Sequence, residues 1–131
     1  MRKFLPVIFV PLLLALVPLA ARAGALFTTE TTTTLGGSAT FTGAAHDLGA
    51  SPSQPNAYVG CAAVADQTGT LNLQLSVNGT TGWATAATTS MTANVVADVG
   101  ARIRAEFYRC QEVNGSSAQG SNLVQFGATS N

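Results

Sequence analysis

The chain has 131 residues and no net formal charge, and only 9% of its side chains are charged against 47% hydrophobic. That length fits one domain, and so even a charge balance excludes a surface built to attract nucleic acid or an anionic membrane. Two cysteines and a single histidine cannot supply the four ligands of a structural zinc site.

Arg2 and Lys3 open the chain, residues 4–20 are apolar throughout, and Ala21-Arg22-Ala23 follows as a small-x-small exit. A positive start, an apolar centre and a small-residue exit are the three parts of a secretory signal, so residues 1–23 are expected to be cleaved ahead of Gly24. A retained anchor is the competing reading. The run falls short of the ~20 residues a spanning helix needs, and Pro6, Pro11 and Pro18 interrupt it. Cleavage removes Arg2, Lys3 and Arg22, which leaves Arg102, Arg104 and Arg109 against the six carboxylates of the chain. The expected product is secreted or displayed on the cell surface, with no membrane segment after cleavage.

Residues 24–37 form a leader rich in threonine, with Thr31-Thr32-Thr33-Thr34 closed by Leu35-Gly36-Gly37. It reads as an extended entry segment or an edge strand. The sharper reading is an assembly arm that adds a strand to a neighbouring subunit, with Leu26, Phe27 and Leu35 as its apolar anchors.

The remainder, residues 38–131, is rich in Thr, Ala, Gly, Ser, Asn and Val, which favours strands and turns over helices. Residues 38–42 read as a first strand, followed by a loop carrying Gly49, Pro52 and Pro55. Residues 58–65 read as a second strand whose small side chains imply close packing against an opposite sheet. The clearest element is residues 70–77, where Leu71, Leu73, Leu75 and Val77 alternate with Asn72, Gln74 and Ser76. Alternation with period two marks a strand with one buried face. Asn78-Gly79 ends it as a turn, and Trp83 is expected to pack on the sheet. Residues 84–91 and 93–99 are two further strands, and Gly100 separates them from a long strand over 101–113. In that strand Ile103, Ala105 and Phe107 alternate with Arg104, Glu106 and Tyr108. Asn114-Gly115 turns the chain into a last strand over 122–126. Short strands with turn signals at this spacing predict an all-β fold, a small antiparallel β-sandwich of jelly-roll type.

Cys61 and Cys110 fall on two of these strands. An even pair in an exported chain is expected to form a disulfide, here one that joins the two sheets. Closing a loop of about 50 residues contributes roughly 4 kcal/mol in the chain-entropy picture. Regular alternation places Phe107 and Cys110 on opposite faces, so either a bulge intervenes near Arg109 or the strand is covered on both sides.

From Ala39 onward the sequence resembles a small β-sandwich domain of bacteriophage tail- and fibre-associated proteins and of some bacterial surface proteins. The resemblance rests on Ala39-Thr40-Phe41-Thr42-Gly43, on Ala65-Asp66-Gln67-Thr68-Gly69-Thr70-Leu71, and on Ser76-Val77-Asn78-Gly79-Thr80-Thr81-Gly82-Trp83. It continues in Phe107-Tyr108-Arg109 and in Val113-Asn114-Gly115-Ser116-Ser117-Ala118-Gln119. It implies a binding or structural module on a fibre or surface, with no catalytic residues. The chain departs from the pattern in its own secretion signal, in the cysteine pair, and in Asn78 where Asp is usual.

Catalytic chemistry is sparse. His46 beside Asp47 is the lone histidine, and no nucleophile elbow or phosphate-cradling glycine loop is present. The expectation is therefore a non-enzyme without cofactor or metal; Asp66 and Asp98 are solvated turn residues before they are calcium ligands. Asn78-Gly79-Thr80 and Asn114-Gly115-Ser116 are possible glycosylation sequons at predicted turns. Arg102 and Arg104 on one strand face, with Glu106, read as a charged sheet surface. Tyr58, Trp83 and Tyr108 are the aromatic candidates for stacking on a sugar. The expected function is a structural or adhesive subunit that forms or decorates a filament, fibre or surface layer, through self-association or a cell-surface or glycan partner. A monomeric carbohydrate-binding module and a phage virion component are the alternatives.

Overall fold

The computed structural model describes residues 26–49 and 57–129. The expected signal, residues 1–23, lies outside them. Nine strands make up the regular structure: β1 (Leu26–Thr31), β2 (Thr40–Thr42), β3 (His46–Asp47), β4 (Tyr58–Ala65), β5 (Gly69–Ser76), β6 (Ala84–Met91), β7 (Ala97–Arg102), β8 (Phe107–Asn114) and β9 (Asn122–Thr129). All pair antiparallel. Sheet I has the order β1-β9-β4-β7 and sheet II the order β2-β8-β5-β6, with β3 continuing the β2 edge along β8. The all-β sandwich expected from the sequence is the fold observed.

The two sheets meet through side chains of unequal size. Sheet I turns inward Val59, Cys61, Ala63 and Ala65 from β4, Ala97 and Val99 from β7, and Val124 and Phe126 from β9. Sheet II answers with Leu71 and Leu73 from β5, Met91 from β6, and Tyr108 and Cys110 from β8. Small side chains on one sheet admit the larger ones of the other, and each leucine removed from water contributes about 1.5–3 kcal/mol. Cys61 and Cys110 are bonded across this interior, with their Cα atoms 5.8 Å apart, so the bridge ties sheet I to sheet II.

The late part of the chain departs from the expected layout. The strand over 101–113 is interrupted: β7 runs through Gly100 to Arg102, and the chain crosses to sheet II before Phe107. The crossing is held by the Tyr108 hydroxyl, which accepts from the amides of Arg104 at 2.6 Å and Ala105 at 3.0 Å. The inward phase then resets, and Tyr108, Cys110, Glu112 and Asn114 face the interior while Phe107 does not. No bulge near Arg109 is needed, because β8 pairs with β5 in unbroken register from Asn114 to Phe107.

The leader is a strand of sheet I. Leu26–Thr31 pairs with β9, with a bulge between Thr29 and Thr31. A bulge leaves one residue unpaired and re-aims its side chain; here that residue is Glu30. Farther along, the Leu35 amide donates to Gln119 Oε1, and its carbonyl accepts from the Gln119 amide. Within one chain, then, Leu26, Phe27 and Leu35 belong to an edge strand and a strap fastened in cis.

Candidate functional surfaces

The aromatic candidates separate by position. Tyr108 is fully buried and is spent on the β7–β8 crossing, so it is withdrawn as a ligand-stacking residue. Tyr58 is 46% exposed on the outer face of sheet I. Trp83 is half-buried on the outer face of sheet II, where the Arg109 guanidinium lies 4.0 Å above its ring.

The outer face of sheet I carries an apolar strip between two rows that include polar side chains. Register sets it in rows across the strands: Arg102–Tyr58–Thr129, then Gly100–Gly60–Gly127–Phe27, then Asp98–Ala62–Gln125. Three glycines in line leave a trough of about 210 Å3 floored by backbone and bounded by Phe27, Tyr58 and Asp98. Phe27 lies over Gly127 so closely that a Cβ there would meet the ring at 2.7 Å. It is nevertheless 54% exposed, with Val96 at 66% on the same side. A smaller depression beside the trough is lined by Ala62, Val64, Val96 and Leu123. The cationic member is Arg102, whose Nε donates to the Tyr58 hydroxyl at 3.2 Å. That bond raises the guanidinium above its ordinary pKa.

The outer face of sheet II is polar. Arg109 Nε donates to Gln74 Oε1 at 2.7 Å, and the amides of Gln74 and Asn72 both donate to Gln111 Oε1 at 3.2 Å. Thr85 and Thr88 stand beside Gln74 and Asn72 on β6, and Thr42 beside Gln111 on β2. The result is a ladder of amides and hydroxyls ending at Trp83 and Arg109. Burial under this ladder lowers the Arg109 pKa.

His46 finds a carboxylate that the sequence did not suggest. Its Nε2 lies 2.5 Å from Glu30 Oε1, and its ring stacks on Phe126 with centroids 3.9 Å apart. Glu30 Oε2 also accepts from the Ala44 amide at 3.1 Å. The pair links the edge of sheet I to the edge of sheet II, where β2 gives way to β3. Sixteen residues separate the partners, and only the β1 bulge brings Glu30 inward, so nothing local announced it. Neither depression on sheet I includes His46.

The remaining expected sites are scattered. Asp66 accepts from the Gly120 amide through both oxygens, whereas Asp98 stands on the outer face opposite Ala62, four residues back along β4. The described residues contain no group of three His, Cys, Asp or Glu side chains placed to share a metal. Arg104 and Glu106 lie in the β7–β8 crossing rather than on a strand with Arg102, which corrects the expected charged strip. Asn78 is exposed, and its Oδ1 accepts from the amides of Thr80 and Thr81. Asn114 is buried, and its Nδ2 donates to the carbonyls of Gly36 and Ser117. As a glycosylation acceptor it is therefore closed in the folded chain.

Residues 18–128 match the family model described as the N-terminal domain of the uncharacterised protein YqxG. The chain belongs to the YqxG N-terminal domain family. This YqxG-type domain is similar in fold to the crystal structure of the PBSX exported protein XepA, with a TM-score of 0.72 and 24% identity over 87% of the chain. It spans 40% of the length of XepA. Bacillus endospore appendages, described as disulfide-linked pili, align over 84% of the chain and 93% of theirs at a TM-score of 0.37 and 15% identity. A search among curated proteins finds no match.

Proposed function

We propose that this YqxG-type domain is exported and serves as a non-enzymatic structural or adhesive subunit, assembling into or decorating an extracellular filament, fibre or surface layer. The observation that carries the reading is the outer face of sheet I, where Phe27 and Tyr58 stand exposed at a glycine trough and Val96 at the smaller depression beside it. Apolar patches of that kind mark interaction sites on exported and soluble domains. The Cys61–Cys110 bridge supports export, because such bonds persist in oxidising compartments. The name of XepA as an exported protein points the same way. Catalysis is not part of this reading, since the His46–Glu30 pair acts between sheet edges and has no nucleophile bonded to it. The test is electron microscopy of the native protein recovered from outside the cell. Ordered polymers or particles coated with it are expected; monodisperse protein retained inside the cell would overturn the proposal.

A carbohydrate-binding role has one specific observation in its favour, the amide and hydroxyl ladder that ends at Trp83 and Arg109. Flat hydrogen-bonding rows beside a stacking aromatic suit a glycan chain. Titrating oligosaccharides while following Trp83 fluorescence tests it. A saturable change that Arg109→Ala abolishes is the expected result, with binding heat also lost in Trp83→Ala by titration calorimetry, and a flat titration of the parent removes the reading.

A further inference from the structure

Three features of the outer face of sheet I are related by symmetry. On β7, Asp98 and Arg102 project outward on either side of Gly100. On β4, Ala62 and Tyr58 project outward on either side of Gly60. On β9, Gln125 and Thr129 flank Gly127. On β4 and β7 one row therefore holds the larger and cationic groups, Tyr58 and Arg102, and the row beyond the glycines holds the small and anionic ones, Ala62 and Asp98; on β9 the sizes reverse, with Thr129 in the first row and Gln125 in the second. The floor between them is glycine backbone, open to a neighbouring surface.

We infer that this face packs against the same face of a second copy of the chain, about a two-fold axis running along the row Gly100–Gly60–Gly127. The inference rests on the structural-subunit reading and names its first contact. Rotation about that axis lays the Arg102 row of one copy over the Asp98 row of the other. Arg102 then faces Asp98 of the second copy, twice over, and Tyr58 faces Ala62 of the second copy. Gly60 and Gly100 keep the axis clear of side chains, and the two Phe27 rings, each lying over its own Gly127, meet at its end. An interface that uses one patch on both partners must be self-complementary. This one is so in charge and in size. Asp98 and Arg102 are four residues apart on an extended strand, roughly 13 Å, so they do not neutralise each other within one chain. A four-stranded face of about 19 by 25 Å buries roughly 950 Å2 over both copies, below the range of stable interfaces, so the dimer is weak and transient.

Sedimentation velocity of the oxidised, exported protein over a concentration series reaching about 1 mM tests the assignment. The parent is expected to show a monomer–dimer equilibrium. Asp98→Arg and Arg102→Asp each place like charges opposite one another and should weaken it by about tenfold or more. The double exchange, Asp98→Arg with Arg102→Asp, should restore the parent affinity, since it swaps the partners without removing the pair. Failure of the double exchange to restore association, or a single exchange that leaves it unchanged, would overturn the inference. Polymers that persist in Asp98→Arg with the parent's repeat would overturn this interface while leaving the structural-subunit reading in place. A parent that stays monomeric and forms no polymer would overturn both. A monomeric parent whose Tyr58 and Gly100 resonances shift with added oligosaccharide would overturn the dimer in favour of a glycan on this face.

Discussion

Glu112 is fully buried, and among the described residues no cationic side chain pairs with it. Its Oε1 accepts from Gln119 Nε2 at 2.5 Å and its Oε2 from Asn122 Nδ2 at 2.8 Å. The same two amides reach outward to the strap: Asn122 Nδ2 donates to the Thr33 carbonyl, and Gln119 Oε1 accepts from the Leu35 amide. Glu112 is thus the centre of a polar plug at one end of the core, and it orders the segment between β1 and β2. Removing it strands two buried donors. Glu112→Ala is expected to cost about 3 kcal/mol or more, from the unmet donors and the cavity together. Glu112→Gln keeps the volume but points an amide donor at another amide donor, for a cost of about 1–3 kcal/mol. Urea denaturation of both variants measures this, and midpoints equal to the parent's would show that the plug contributes nothing. Glu112 was visible in the sequence as part of the late strand, but not as an interior residue. The reason is phase. Counting alternation from Ile103 through Phe107 puts Tyr108 and Glu112 outside, and the fold restarts the count at Tyr108.

At the scale of strands, the sequence was most informative where one face is uniformly apolar. Leu71, Leu73 and Leu75 located β5 to within a residue, and β4 and β6 also lie where composition and turns placed them; β9 starts at the expected Asn122 but runs past the expected end at Phe126 to Thr129. The errors fall where backbone demand and side-chain pattern disagree. Gly100 reads as a separator, yet it sits inside β7 opposite Gly60, because a side chain there would crowd the Val59 carbonyl at 3.3 Å. The break that does occur, over residues 103–106, has no glycine or proline to announce it and is held from outside, by the Tyr108 hydroxyl and by backbone bonds from the Ile103 amide to the Ala57 carbonyl and from the Leu48 amide to the Glu106 carbonyl. Tyr108→Phe removes the acceptor shared by the amides of Arg104 and Ala105. Loss of about 1–3 kcal/mol is expected, together with faster hydrogen exchange at those two amides than at their neighbours. A variant that loses stability while the two amides keep their protection would mean that the corner holds by packing alone. The β1 bulge is the second such case: a threonine run gives no hint that Glu30 turns inward to His46, since the partner is supplied by the opposite sheet.

At the scale of the molecule, the question is what keeps two sheets with so many alanines, glycines and threonines together. Sheet I contributes Ala63, Ala65 and Ala97 to the interior, which bury little surface each, so the hydrophobic term is lean for a domain of this length. The edge pair His46–Glu30 joins the layers at the rim, and the buried plug at Glu112, costly to break, offsets much of its gain by the desolvation of its own polar groups. The Cys61–Cys110 bond lies between them, across a separation of 49 residues. Constraining a loop of that size in the unfolded chain corresponds to about 4 kcal/mol, a large share of the total stability of a small domain. The paired variant Cys61→Ala with Cys110→Ala should therefore melt roughly 15–30 °C below the oxidised parent. It should also show a steeper denaturant dependence, because its unfolded state is free to expand. Scanning calorimetry and urea titration of the two proteins side by side read both quantities. If they coincide, the packing of small side chains against Leu71, Leu73 and Tyr108 suffices without the bond. If they differ as expected, a chain that stays in a reducing compartment is left with little stability, and export becomes a condition of folding.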